Sequence, residues 1–102
     1  MQFKTLAFDL DGTLCSNTEG AYETATPIIK NIAKVNRLFD EGNIIVIYTA
    51  RGCKTGRDLR KFTEQQLKAW GVKHHHLFLG KPFADLFVDD KAVNSNDFFK
   101  ED

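Results

Sequence analysis

The sequence predicts an α/β fold, a doubly wound, mainly parallel sheet of about four strands. Three observations predict it. Short apolar, β-favouring runs alternate with stretches whose apolar residues recur at helical spacing. The most apolar run, Ile44-Ile45-Val46-Ile47-Tyr48, is β-branched and does not alternate, as expected of a parallel strand covered on both faces. Acidic residues follow the first apolar run at Asp9 and Asp11 and end the fourth at Asp89 and Asp90. In open α/β sheets ligands bind at the carboxyl ends of the strands.

The first strand runs from Phe3 to Phe8 and leads into Asp9-Leu10-Asp11-Gly12-Thr13-Leu14. Two carboxylates two residues apart repel unless a cation or proton sits between them. A hard divalent ion such as Mg²⁺, which takes oxygen ligands, is the natural occupant. The plainer alternative is an Asp/Gly-rich turn after a strand. Cys15 to Thr26 is polar and reads as a loop or short hairpin. Thr26-Pro27 then opens a helix, with Thr26 as N-cap and Pro27 at the first helical position. Ile28, Ile29, Ile32, Val35, Leu38 and Phe39 form its apolar stripe, and Gly42 suits the left-handed position at its end.

Ile44 to Tyr48 is the second strand, and strand–helix–strand makes a right-handed βαβ unit. Thr49-Ala50-Arg51-Gly52 follows its end. A threonine hydroxyl and the next backbone N–H can donate to phosphate oxygen without adding charge. Arg51 either reaches a substrate phosphate or carboxylate or is a solvated loop residue. Cys53 to Gly56 is a loop, Arg57 to Trp70 a second helix closed by Gly71, and Leu77-Phe78-Leu79 a short third strand. His74-His75-His76 precedes that strand; consecutive side chains alternate, so the three are read as a surface turn and not a metal site. Gly80-Lys81-Pro82 is a turn, and Asp85-Leu86-Phe87-Val88-Asp89-Asp90 is the fourth strand. Lys91 stands ready to pair with its acids. Asn94 to Phe99 reads as a terminal helix whose Phe98 and Phe99 cover the sheet edge.

The 102 residues suit a single domain, 1–102, with a real core. Lys and Arg number 14 and so do Asp and Glu, with no basic run, which argues against a nucleic-acid partner. No apolar stretch approaches a membrane span, and Met1-Gln2-Phe3-Lys4 opens straight into a strand, so no membrane and no signal peptide are expected. Cys15 and Cys53 make neither a disulfide framework nor a metal-site spacing and are expected as free thiols in a reducing cytoplasm.

Taken in order, these segments resemble the four motifs of the haloacid dehalogenase (HAD) superfamily, mostly phosphatases. Asp9-Leu10-Asp11-Gly12-Thr13 is similar to the first motif, Thr49 to the second, Lys81 before Pro82 to the third and Asp89-Asp90 to the fourth. The resemblance spans Asp9 to Asp90. It implies a Rossmann-like HAD core in which Asp9 is a nucleophile that forms an aspartyl-phosphate and Asp11 is the general acid/base. Thr49, with Ala50 beside it, would bind the transferring phosphoryl group, and Lys81 would neutralise nucleophile and phosphate. Asp9, the Asp11 carbonyl and Asp89 would hold Mg²⁺, with Asp90 ligating directly or through water.

The family places a flap over the site where Cys15 to Thr26 lies. That stretch is too short for a cap domain, so a capless member is implied. The chain also stops soon after the fourth strand, short of the family's fifth. Thr49-Ala50-Arg51 and Val88-Asp89-Asp90-Lys91-Ala92 most resemble small HAD phosphatases found with bacterial capsule or surface-polysaccharide genes. The implied function is a Mg²⁺-dependent phosphomonoesterase acting on a sugar phosphate or similar small metabolite. The alternatives are a phosphatase of a phosphorylated protein or nucleic-acid end, and a non-catalytic regulatory module. Phe83, Phe98 or Phe99 could line a contact between copies of the chain, and a neighbour would then serve as the lid.

Overall fold

The computed structural model describes residues 4–52, 58–82 and 84–100. Phe3, the loop from Cys53 to Gly56, Arg57 and Phe83 lie outside the described residues. Strand β1 (Thr5–Asp9) leads through a tight turn and a polar loop to helix α1 (Ile29–Asp40) and strand β2 (Ile44–Tyr48). Helix α2 (Arg60–Ala69), strand β3 (His76–Phe78) and helix α3 (Ser95–Phe98) follow. The strands form a three-stranded parallel sheet in the order β1-β2-β3. Thr5 lies opposite Ile44 and Asp9 opposite Tyr48, so β1 and β2 end level. Tyr48 in turn pairs with Phe78 of β3. The carboxyl ends of the three strands therefore form one shared rim of the sheet.

The α/β class and the parallel pairing agree with the sequence reading; the strand count does not. The stretch Asp85 to Asp90 is not a strand. Leu86 is 78 % and Val88 91 % exposed. Local contacts hold the segment instead. The Phe87 ring lies 4.2 Å from the Lys81 ammonium, and an Asp89 carboxylate oxygen accepts from the Lys91 N–H at 2.8 Å. β1 consequently has a sheet partner on one side only among the described residues. Its Lys4 carbonyl accepts from the Ile44 N–H, so the main-chain groups of Thr5, Ala7 and Asp9 turn toward the open edge.

Helix α1 buries Ile32, Val35 and Leu38, while Ile29 in its first turn is exposed. The N-cap is Ile28, not Thr26. Thr26 and Pro27 are taken up by a short antiparallel ladder that ties the roots of the polar loop together. Ser16 N–H donates to the Thr26 carbonyl and Ile28 N–H to the Leu14 carbonyl, both at 2.8 Å, and Pro27 bridges Cys15. Gly42 ends α1 with φ +100°, in the left-handed region where a side chain is disfavoured. Burial on β2 is one-sided: Ile45 and Ile47 are fully buried, but Ile44 is exposed and Val46 and Tyr48 half-buried. α3 docks through Phe98 and the buried Phe99, whose rings lie 5.6 and 6.1 Å from that of Phe8. Lys30 and Lys34 donate to the Phe99 and Phe98 carbonyls, both at 2.6 Å, placing cations at the carboxyl end of α3. Phe99 is thus buried and Phe98 half-buried against the core. The three histidines take separate roles: His75 Nδ1 accepts from the Ile45 N–H and its ring stacks on Phe39, while His74 meets the Val72 carbonyl. They do not converge. Among the described residues no helix is long and apolar enough to cross a membrane.

Candidate active site

The turn after β1 is built on one carbonyl. Leu10 C=O accepts from the N–H groups of Thr13, Leu14 and Cys15 at 3.1, 2.8 and 3.3 Å, and Gly12 N–H reaches back to the Cys15 carbonyl at 2.8 Å. Gly12 has φ +85°, and a Cβ there would meet only the Asn17 side chain at 4.0 Å, an ordinary contact, so its need for glycine is conformational and not steric. The turn sends the side chains of Leu10 and Leu14 into the core. It leaves Asp9 and Asp11 at the rim, lining one cavity of about 700 Å³ together with Thr49, Ala50, Arg51 and Lys81.

The two aspartates have opposite surroundings. Asp9 keeps a side chain 35 % exposed. Its Oδ1 accepts from the Leu10 N–H at 2.8 Å, and its Oδ2 lies 3.3 Å from the Lys81 ammonium. Lys81 is placed by the main chain, since its N–H donates to the Thr49 carbonyl, and by the Tyr48 and Phe87 rings at 4.7 and 4.2 Å. Asp11 is enclosed by donors. Oδ1 accepts from Arg51 Nη2 at 2.9 Å, Oδ2 from Arg51 Nε at 3.0 Å, and the Thr49 hydroxyl reaches Oδ2 at 3.4 Å. The Cys15 thiol completes the shell at 3.5 Å from Oδ1.

Arg51 does not behave as a solvated loop residue, nor does it point its donors at the cavity. It is 1 % exposed. A guanidinium has five N–H bonds. Nε and Nη2 serve Asp11, Nη1 serves Thr63 Oγ1 at 3.3 Å and Gln66 Oε1 at 2.6 Å, and Nη2 also reaches Cys15 Sγ at 3.8 Å. All five are engaged inside the chain, so a substrate contact by Arg51 would require one of these bonds to be exchanged. Thr49, also 1 % exposed, accepts from the Arg51 N–H at 3.1 Å, so the residue after β2 locks the arginine's backbone as well.

Sequence reasoning missed Thr63, Gln66, Tyr22 and Cys15 as parts of this site. A signal existed for Thr63: it shares a helical row with Leu59 and Leu67, and a polar residue in such a row needs a buried partner. Cys15 is fully buried, and burial first, with the Asp11 charge second, pushes its thiol from 9.0 up to about 12. It is a neutral donor and not a nucleophile.

Asp9, Asp11, Thr49, Ala50, Arg51 and Lys81 are thus brought together, and Asp89 and Asp90 are not. Both are exposed, and neither lines the cavity. Among the described residues no group of three acids, histidines or cysteines is arranged to hold a metal ion. The donors that do converge are carboxylates, hard oxygen ligands of the kind Mg²⁺ takes, but two carboxylates are fewer than the expected set.

No family model matches the chain, and a search of curated proteins finds no match. Among solved structures the fold is similar to that of an MCSG target from Vibrio cholerae. The two share 27 % sequence identity and superpose with a TM-score of 0.86, over 95 % of this chain and 88 % of the other.

Proposed function

We propose that the chain is a Mg²⁺-dependent phosphomonoesterase of the HAD type that works through an aspartyl-phosphate on Asp9. The observation that carries this reading is the unequal pair. Asp9 is open to the cavity and faces a lysine at 3.3 Å, whereas Asp11, two residues on, is clamped by Arg51 and Thr49. Environments that separate two carboxylates suit them to two roles, one nucleophile and one acid/base.

In the first half-reaction Asp9 Oδ attacks phosphorus in line, and the bond to the leaving oxygen breaks. Asp11 gives that oxygen a proton. In the second, water attacks the phosphoryl group, Asp11 takes the water's proton, and the bond to Asp9 breaks. Lys81 offsets the charge of nucleophile and phosphate. The Thr49 hydroxyl, at 3.4 Å from Asp11, is among the weaker contacts of that carboxylate. Turning it to a phosphate oxygen leaves Asp11 Oδ2 with the Arg51 Nε contact and one lone pair open for the proton transfer. Bound Mg²⁺ would supply positive charge against the phosphate and the carboxylates.

Asp9 and Asp11 would hold the ion with Asp89, and Asp90 directly or through water. Bringing Asp89 to the rim requires the segment before it to move. The open edge of β1 and the exposed Leu86 and Val88 support that: pairing this segment with β1 covers both and carries Asp89 toward the end of β1. The cavity volume suits a small phosphate ester such as a sugar phosphate. A free thiol at Cys15 fits work in a reducing cytoplasm.

The test is phosphate release from a panel of phosphorylated metabolites and an aryl phosphate. Release is expected with Mg²⁺, is lost in chelator and is poorly restored by Ca²⁺, whose coordination is larger and looser. Full activity in chelator overturns the metal; no release from any substrate overturns the reading.

A further inference from the structure

We propose that Gln66 and Tyr22 are positioning residues that hold Arg51, and through it the carboxylate of Asp11, so that the polar mouth loop and α2 together aim the acid/base. The inference rests on the phosphomonoesterase reading and adds two residues that none of the four motifs contains.

The geometry is a closed chain of contacts. Gln66 Oε1 accepts from Arg51 Nη1 at 2.6 Å, and Gln66 Nε2 donates to the Tyr22 carbonyl at 2.8 Å. Only one orientation of the amide satisfies both bonds, so Gln66 cannot flip without losing one. The Tyr22 ring lies over the guanidinium at 4.5 Å and covers one of its faces. Tyr22 opens a short 3-10 turn, Tyr22–Thr24, inside the loop whose roots are tied by the Ser16 and Thr26 pairing. Gln66 and Thr63 come from α2. The arginine is thus fixed from two elements far apart in sequence.

Fixing Arg51 matters because its contact with Asp11 is two-pronged. Nε and Nη2 meet different oxygens of one carboxylate at 3.0 and 2.9 Å, and that sets the rotation of the carboxylate plane. A general acid works only when its oxygen lies on the line to the leaving group. If the guanidinium rocks, Asp11 rocks with it. Asp9 does not share this dependence, for its contacts run to Leu10 N–H and Lys81.

The test separates orientation of Asp11 from general damage. Gln66→Met keeps the length of the side chain and removes both hydrogen bonds. It is expected to cut turnover of an alkyl phosphate by about ten-fold or more, the reaction that needs a proton on the leaving oxygen, and that of nitrophenyl phosphate much less. Tyr22→Ala is expected to show the same split, and Tyr22→Phe, which keeps the ring face, to recover most of what Tyr22→Ala loses. As a readout independent of activity, the Arg51 Nε–H resonance is expected to be slow to exchange with solvent in the wild type. It should become fast in Gln66→Met. Equal losses on the two substrates, or an Arg51 resonance as protected in Gln66→Met as in the wild type, would overturn the inference and leave the phosphatase reading standing. No phosphate release by the wild type overturns that reading and this inference with it.

Discussion

The rim between β1 and β2 and the segment from Ala84 to Asn94 are made of similar material, aspartates beside strand-forming apolar residues. They settle in opposite ways. At the rim, Leu10 and Leu14 are fully buried, and the Asp9, Asp11 and Arg51 side chains beside them are each paired with a residue from elsewhere in the chain. In the later segment Leu86 and Val88 are exposed, and Asp89 is satisfied by the N–H two residues on. The difference is not one of propensity. A strand that enters the core is fixed by area removed from water, whereas one at the sheet edge is fixed only by the partner beside it. The rim is prebuilt and the segment is held by contacts it can exchange.

The largest effect expected from this contrast is catalytic. Asp9→Asn removes the attacking anion and should reduce turnover on the order of 10⁴-fold or more for every substrate, beyond rescue by added Mg²⁺. Asp89→Asn, in the exchangeable region, should instead weaken Mg²⁺ affinity and be largely rescued by excess Mg²⁺. Equal behaviour of the two variants in steady-state assays across a Mg²⁺ titration would erase the distinction between the regions. Asp11→Asn belongs with Asp9 in position and not in kind: its loss should be on the order of 10²- to 10⁴-fold with an alkyl leaving group and far smaller with nitrophenolate.

Next in size is stability. Arg51→Met leaves Asp11, whose side chain is 18 % exposed, without its cation, and urea denaturation should show a loss of about 3 kcal/mol. Val88→Lys, at 91 % exposure, should cost within about 0.5 kcal/mol without metal. The same variant should lower Mg²⁺-dependent activity, because a lysine suits a pairing strand poorly where it must be covered. A large loss of stability in metal-free Val88→Lys would mean that the segment is already packed.

The smallest effect concerns Cys15. In a Cys53→Ser background the native protein should resist iodoacetamide at pH 8 and react once unfolded, since its thiol is raised to about 12. The raised value also gives a sign. Stability from the buried neutral thiol is complete below the ordinary 9.0 and declines as pH climbs from there toward 12. Stability that rises across that window would contradict the assignment.

What the sequence made legible was local. Asp9 to Thr13 reads as a strand-end turn because Gly12 must take a positive φ there. Thr49 follows from the run Ile44 to Tyr48, and Lys81 from its place between β3 and a proline. The direction of Arg51 was not legible, because its partners Asp11, Thr63, Gln66 and Tyr22 lie 40, 12, 15 and 29 residues away or are set by packing alone. Nor was the state of the fourth run. Leu86 to Val88 has strand residues, yet whether they pair depends on an edge of β1 and on Lys81 holding Phe87, and neither is written in the run itself.

The central claim is that Asp9 carries the phosphoryl group, and acid quenching during turnover tests it most directly. With nitrophenyl phosphate and Mg²⁺, whose leaving group departs without a proton, Asp11→Asn should slow hydrolysis of the intermediate far more than its formation. Mass spectrometry of the quenched digest should then find one phosphoryl group on the peptide that holds Asp9, absent from Asp9→Asn. Phosphate released at full rate by Asp9→Asn, or a phosphoryl group found on another residue, would contradict the account.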